Sequence, residues 1–435
     1  MKALRFISCG LLAALCLSGA WVLFAHVSRR LPALPLTQQV YVWQMHWDDA
    51  VHQAIDRSQP HVDGFMLLAG EIGYSGKDFT FVPASPDPQG ISRQVTLVLR
   101  VRSEFTKSIA QHRTPAAVEF ILNRLAPYLS AKLGNSPRPG VQIDFDCPTS
   151  AVSEYAELLK TLRASLSNTQ LSITALPDWL NSPAFPTLLA QVDYFVLQVH
   201  SLETPSTVNS PYTLCDPKKA RRAVERVSRM DVPFYVALPT YSYRLLFDQQ
   251  GRFRSILAEQ TAESSAPGMT VKDVSADPAA LAQLARQWRA NPPNNCLGLV
   301  WFRLPVKGDR RNLPWPAFAA LLQGTAPKTA FAAEMRQPEP GLYELWLSNT
   351  GDCAPAAPVS CEVRWNHDAI LAYDITGGYK GKGAVGQDSV QVNGPAPEAN
   401  VPPKVVGWFR VRPEHNEDKE VVQCSAVHVV SSSGT

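Results

Sequence analysis

Residues 141–176 read VQIDFDCPTSAVSEYAELLKTLRASLSNTQLSITAL, and this stretch decides the fold. Val141, Ile143 and Phe145 alternate with Gln142, Asp144 and Asp146, which is the two-residue period of a strand. Thr149 or Ser150 then caps a helix over Ala151–Leu166. Leu171–Leu176 returns to strand. Strand, helix and strand in about 35 residues make a βαβ unit, the connection that joins parallel neighbours.

The same alternation extends in both directions. Strands are expected at Val40–Trp47, Val62–Glu71, Val95–Val101, Tyr194–His200, Phe234–Leu238 and Leu297–Leu304, besides the two above. Helices are expected from Asp48, over Pro115–Leu133 behind Thr114, near Pro186–Val192, over Pro217–Met230 behind Asp216, over Pro278–Ala290 behind Asp277, and over Pro316–Leu322. Proline at a first helical turn costs little, because that N–H has no intrahelical partner. A long Gly/Pro/Ser connection after the second strand holds a hairpin at Phe79–Val82, and the second helix is the weakest element of the series. Eight strands, mostly followed by helices, specify an α/β protein with a (β/α)8 TIM barrel. Beyond about residue 331 the helical period is lost. Tyr343–Leu347, Cys361–Trp365 and Val405–Val411 read as strands of a small all-β sandwich-like C-terminal domain. Gly377–Gly386 lacks the order of a phosphate loop and reads as a hairpin.

Composition agrees with a folded, near-neutral protein. The chain has 435 residues, 45% apolar and 18% charged, with 41 basic against 38 acidic residues and a net charge of +3. That balance excludes a fibre, a multi-span membrane protein and a polycation, and no nucleic-acid partner is expected. At the N-terminus, Lys2 and Arg5 precede an apolar run from Phe6 to Val27, followed by Arg29 and Arg30. Residues 1–30 are therefore a signal peptide or an N-terminal membrane anchor. The run is about 22 residues long and no clean small-x-small site follows it, which favours an anchor in the inner membrane over secretion. The rest of the chain would then lie in the periplasm or outside the cell: a linker over 31–37, the barrel over 38–326 and the β-domain over 327–435. Six cysteines fall in that part, with Cys353 and Cys361 a reasonable pair, although six allow 15 connectivities.

Barrels of this class carry their sites at the C-terminal ends of the strands. Those ends bring Trp43, His46, Glu71, Gln142, Asp144, Asp146, Asp178, Trp179, Gln198, His200, Tyr241, Tyr243, Trp301 and Arg303. Aromatic faces stack on sugar rings, and paired carboxylates cleave glycosidic bonds. Gln142, Asp144 and Asp146 point to one side of their strand. If that side is the interior, the adjacent charges raise one carboxyl and suit it to give a proton. Asp146 is the expected donor, with Asp144 tuning it and Glu71 or Glu203 as partner. Trp43, His46, Gln142, Trp179, Gln198, His200, Tyr241, Trp301 and Arg303 are the expected substrate contacts. His46 and His200 lack any HxxxH, HExxH or HxH spacing, so neither a metal nor another cofactor is expected. No serine-hydrolase order is visible.

Ile143-Asp144-Phe145-Asp146 resembles the fourth strand of chitinase-type glycoside hydrolases of family 18, whose motif is Asp-x-x-Asp-x-Asp-x-Glu. Asp144 and Asp146 match the second and third acids, and Trp301 matches that family's floor tryptophan. The first acid falls on Val141, and the proton-donating Glu falls on Pro148. The whole barrel is similar to a bacterial family of exported proteins known as a domain of unknown function, with a Gln-x-Asp-x-Asp-Cys fourth strand. These resemblances imply a glycoside hydrolase-like barrel acting on a polysaccharide or cell-envelope glycan. The departure at Pro148 keeps a second reading open: a non-catalytic glycan-binding or envelope assembly protein that retained the cleft.

Overall fold

The computed structural model describes residues 35–129, 134–135, 140–200, 205–210, 212–257, 268–355, 357–383, 387–399, 401–415 and 420–430. The expected export segment and Glu203 lie outside the described residues. Thr37–Thr435 form one compact unit. Among the described residues no helix is long and apolar enough to cross a membrane.

Eight parallel strands close into a barrel: β1 (Thr37–Val42), β2 (Gly64–Tyr74), β3 (Gln94–Val101), β4 (Gly140–Phe145), β5 (Gln170–Ala175), β6 (Tyr194–Gln198), β7 (Phe234–Pro239) and β8 (Cys296–Phe302). Each pairs with its neighbours in chain order, and β8 pairs with β1 to complete the ring. The strands are nearly continuous apolar runs because both faces are covered. Inside, Tyr41, Met66, Val98, Tyr194, Val196, Tyr235, Ala237 and Val300 pack as one cluster.

The helix starts follow the sequence closely. Asp216 accepts from the amides of Lys218 and Lys219, and Asp277 from that of Ala279, capping helices Pro217–Val227 and Pro278–Ala290. Helix Val152–Ser165 differs. A 3₁₀ turn at Thr149–Ala151 leads into it, and neither Thr149 nor Ser150 caps it by a side-chain bond. No helix follows β2. The prolines and glycines of that connection break the helical period, and strand Phe79–Pro83 instead pairs antiparallel with Gly70–Tyr74. Gly70 makes this possible. Its φ of 153° is one that side chains rarely adopt, and a Cβ there would strike the Phe81 ring.

After β7 the chain builds a three-stranded antiparallel sheet from Ser242–Phe247, Phe253–Leu257 and Thr270–Ser275. Its own small core holds Leu245, Phe247 and Val274. The C-terminal region forms two antiparallel sheets. One holds Phe331–Glu339, Leu342–Asn349, Lys404–Val411 and Ile370–Ile375; the other centres on Val359–Trp365 and Ser389–Gly394. Leu345 and Phe409 from the first pack with Val363 and Val390 from the second in one buried core, which makes the pair a sandwich. Cys353 and Cys361 are not joined. Cys361 is buried in that core, whereas the Cys353 thiol lies beside Thr329 and the Lys328 carbonyl.

Candidate functional site

Strand β4 sets the site. Gln142, Asp144 and Asp146 all turn to the barrel interior and rise toward its C-terminal mouth. At the bottom, Gln142 is fully buried, accepting from the Tyr41 hydroxyl at 2.5 Å and lying 3.4 Å from Ser172 Oγ. One pleat higher, Asp144 accepts from Thr174 Oγ1 at 2.7 Å. At the top, Asp146 accepts from Gln198 Nε2 at 3.3 Å. The mouth above them is a cleft of about 390 Å³. Its walls include Tyr41, Trp43, Tyr241, Tyr243 and Phe302, with Arg100, Asp178, His200 and Arg303 among the polar groups. Trp43 meets Tyr41 and Phe302 edge-on, at 5.7 and 4.9 Å between centroids.

The electrostatics follow from this stacking of charges. Burial, opposed by the Thr174 hydrogen bond and by Arg100, raises the Asp144 carboxyl above the usual range. Asp146 is open to solvent on the cleft side. The protein around its other sides, and then the Asp144 charge, push its carboxyl up to about 7. Asp146 is thus close to half protonated at neutral pH, while Gln198 and Arg100 hold the shift in check. Arg100 lies beside Asp144 in the strand register and pairs with Glu71 at 2.8 Å. Burial works against its charge, but Glu71, Asp144 and Asp146 together strengthen it. On the far wall, His200 is buried and pushed down to about 4, so it is neutral. Its Nδ1 lies 3.2 Å from the Tyr241 hydroxyl, and its ring stacks on Phe302. Arg303 is held by Asp309 at 2.9 Å. Cys147, beside the acids, is driven up to about 12 by burial and then by Asp146, which makes it an inert thiol.

The cleft therefore gathers Asp144, Asp146, Trp43, Gln198, His200, Tyr241 and Arg303 from the sequence expectations. Others lie elsewhere. Glu71 is bound to Arg100 outside the cleft lining, and its charge adds to the rise of the Asp144 carboxyl. Gln142 is under the floor, sealed from any ligand. His46 is exposed on the loop after β1, which ends at Val42, several residues before the expected Trp47. Trp179 folds back in the 3₁₀ turn Pro177–Asn181, donating to the Cys147 carbonyl at 3.0 Å and packing on Tyr155 and Phe185 in the helix layer. Trp301 is fully buried on the outer face of β8 against Phe318, its indole N–H 3.2 Å from Gln38 Oε1. Phe302 takes the inner face instead. Tyr41, Arg100, Thr174 and Phe302 were not expected at the site. Arg100 had a signal: it is the charged residue at the mouth end of Gln94–Val101, two and four positions after Val98 and Thr96. Among the described residues, no three His, Cys, Asp or Glu side chains are grouped as metal ligands.

Residues 92–307 match a family model described as Domain of unknown function (DUF3142). No curated protein matches the chain. Among solved structures, it is similar to the spore cortex-lytic enzyme SleL of Bacillus cereus, at 12% identity and a TM-score of 0.46, covering 67% of this chain and 74% of that one. A chitinase from Chromobacterium violaceum ATCC 12472 aligns at 13% identity and a TM-score of 0.45, covering 66% and 98%. The GH18 chitinase ChiB of Flavobacterium johnsoniae aligns at 12% and 0.44, covering 67% and 94%.

Proposed function

With residues 92–307 matching the DUF3142 family model, we propose that the barrel mouth binds a polysaccharide or cell-envelope glycan and hydrolyses it with Asp146 as proton donor. One observation carries this reading: Asp146 opens into an aromatic-lined cleft with its carboxyl raised to about 7 beside the buried Asp144. A carboxyl that keeps its proton near neutral pH can protonate a glycosidic oxygen. Asp144 raises Asp146 by its charge. Arg100 limits that rise and is itself anchored by Glu71, a positioning role. Gln198 orients the carboxyl through its 3.3 Å hydrogen bond. The ring faces of Trp43 and Tyr243 offer apolar platforms for a sugar, and Arg303 a donor for its hydroxyls.

Pro148 supports a second reading, a protein that binds the glycan without cleaving it. It stands where the resembling hydrolases carry their proton-donating Glu. One experiment separates the two. Wild type and Asp146→Asn are incubated with a panel including chitin and peptidoglycan, and both bound protein and new reducing ends are measured. Hydrolysis predicts turnover by the wild type that falls roughly 10²–10⁴-fold in Asp146→Asn while binding persists. Binding without turnover in both proteins favours the second reading. Equal turnover by both overturns the role of Asp146.

We also infer that the protein works outside the cytoplasm, anchored in the inner membrane through residues 1–30. The apolar run Phe6–Val27 between basic residues supports this. Fractionation of cells expressing the full chain tests it: recovery in the cytosol contradicts export, and recovery in the medium contradicts the anchor.

A further inference from the structure

A second cavity of about 460 Å³ opens beside the cleft. Its floor is apolar, formed in part by the buried Val199, Leu214 and Ala220. Its rim includes Thr213, Lys219 and Asp178. Asp178, like Pro177 before it, lines both spaces, so the two adjoin across the turn Pro177–Asn181. That turn is fixed. Arg226 of helix Pro217–Val227 donates to Asn181 Oδ1 at 2.7 Å and to the Leu180 carbonyl at 2.6 Å. The helix N-terminus at the cavity is closed to anions, because Asp216 already accepts from its amides.

The chemistry of this space is an apolar base under polar lining that carries the hydroxyls of Tyr212 and Thr213, the carboxylates of Asp178 and Asp216 and the Lys219 ammonium. The rim charges are of mixed sign and select neither an anion nor a cation. A neutral ring with an apolar face and peripheral hydroxyls fits it. Asp178 is exposed at the shared edge and makes no hydrogen bond or ion pair with the described residues. Each cavity alone is in the lower half of the roughly 300–1,000 Å³ that ligand sites span. Joined in series, they suit a chain rather than a single unit.

We propose that the second cavity is a distal subsite of the cleft: it takes uncharged sugar units further along the chain that lies at Asp146, so the protein engages oligomers in preference to disaccharides. This deepens the glycan reading above and rests on it. The test uses the full chain carrying Asp146→Asn, so that ligands stay intact. Chitin oligosaccharides of two to six sugars and peptidoglycan glycan strands of two to eight sugars are titrated by calorimetry. Kd is expected to fall at least 10-fold from the shortest to the longest member of the series that binds. Adding Thr213→Trp or Lys219→Trp, both at exposed rim positions, is expected to cut that gain below 3-fold. Thermal unfolding checks that each variant is folded. A length gain that survives in both tryptophan variants overturns the subsite while leaving the glycan reading in place. Absence of binding by every oligomer overturns the glycan reading and the subsite together.

Discussion

Removing one buried hydroxyl tests the internal phase of β4, on which the site depends. Tyr41 is almost fully buried and donates to Gln142 Oε1 at 2.5 Å beneath the cleft. Tyr41→Phe deletes the donor without opening a cavity, since the ring keeps its edge contacts with Trp43 and Phe302. What remains is a buried amide oxygen without its partner, which costs about 1–3 kcal/mol. Gln142→Leu strands the Tyr41 hydroxyl instead and costs a similar amount. The double variant replaces both partners by apolar groups and is close to neutral. The cycle therefore predicts a coupling of about 2–6 kcal/mol in magnitude, larger than the few tenths expected of independent sites. Urea unfolding followed by tryptophan fluorescence reads all four proteins. Singles that cost under about 0.5 kcal/mol, or a double variant equal to their sum, would refute the inward placement of Gln142 and with it that of Asp144 and Asp146.

Three further outcomes follow from the same geometry. Arg100→Met removes the cation that favours ionisation of Asp144 and Asp146, so the Asp146 carboxyl titrates at higher pH than in the wild type, whereas Arg100→Lys keeps most of the effect; a downward shift in a carboxyl NMR titration contradicts this. Trp301→Ala is expected to cost about 3–5 kcal/mol of stability, because it empties the packed space between β8 and Phe318; a loss under 1 kcal/mol in urea unfolding would mean that the indole is not core. Asp146→Asn shows a pH-dependent stability gain. The folded carboxyl titrates near 7 and the unfolded one near about 4, so the wild type loses stability as pH rises through that window. The gain is expected above pH 7 and is absent at pH 4. A gain of equal size at both pH values counts against the raised carboxyl.

The sequence was legible wherever polar residues marked the phase of an element. On β4, three polar side chains at alternate positions can only face one way, and they face the interior. On β8, the run CLGLVWF carries no such mark. Both faces of a barrel strand accept large apolar side chains, so nothing in the run distinguishes Trp301 from Phe302, and the resemblance pointed to the residue that packs outward. Trp179 follows a strand end, but a 3₁₀ turn folds it back beneath the rim, a path set by Arg226 and by the Cys147 carbonyl rather than by any local pattern. The missing second helix was foreshadowed by prolines and glycines that allow no helical period. The Arg100–Glu71 pair was hidden for another reason: it joins two strands whose register no single segment encodes.

Asp146, with its carboxyl raised to about 7, holds a proton near neutral pH at the mouth of the barrel. The most direct measurement is a carbon-13 carboxyl titration of the wild-type protein, with the Asp146 resonance assigned by its loss in Asp146→Asn. A midpoint near 7 is predicted. A midpoint at the ordinary aspartate value of about 4 would contradict the account.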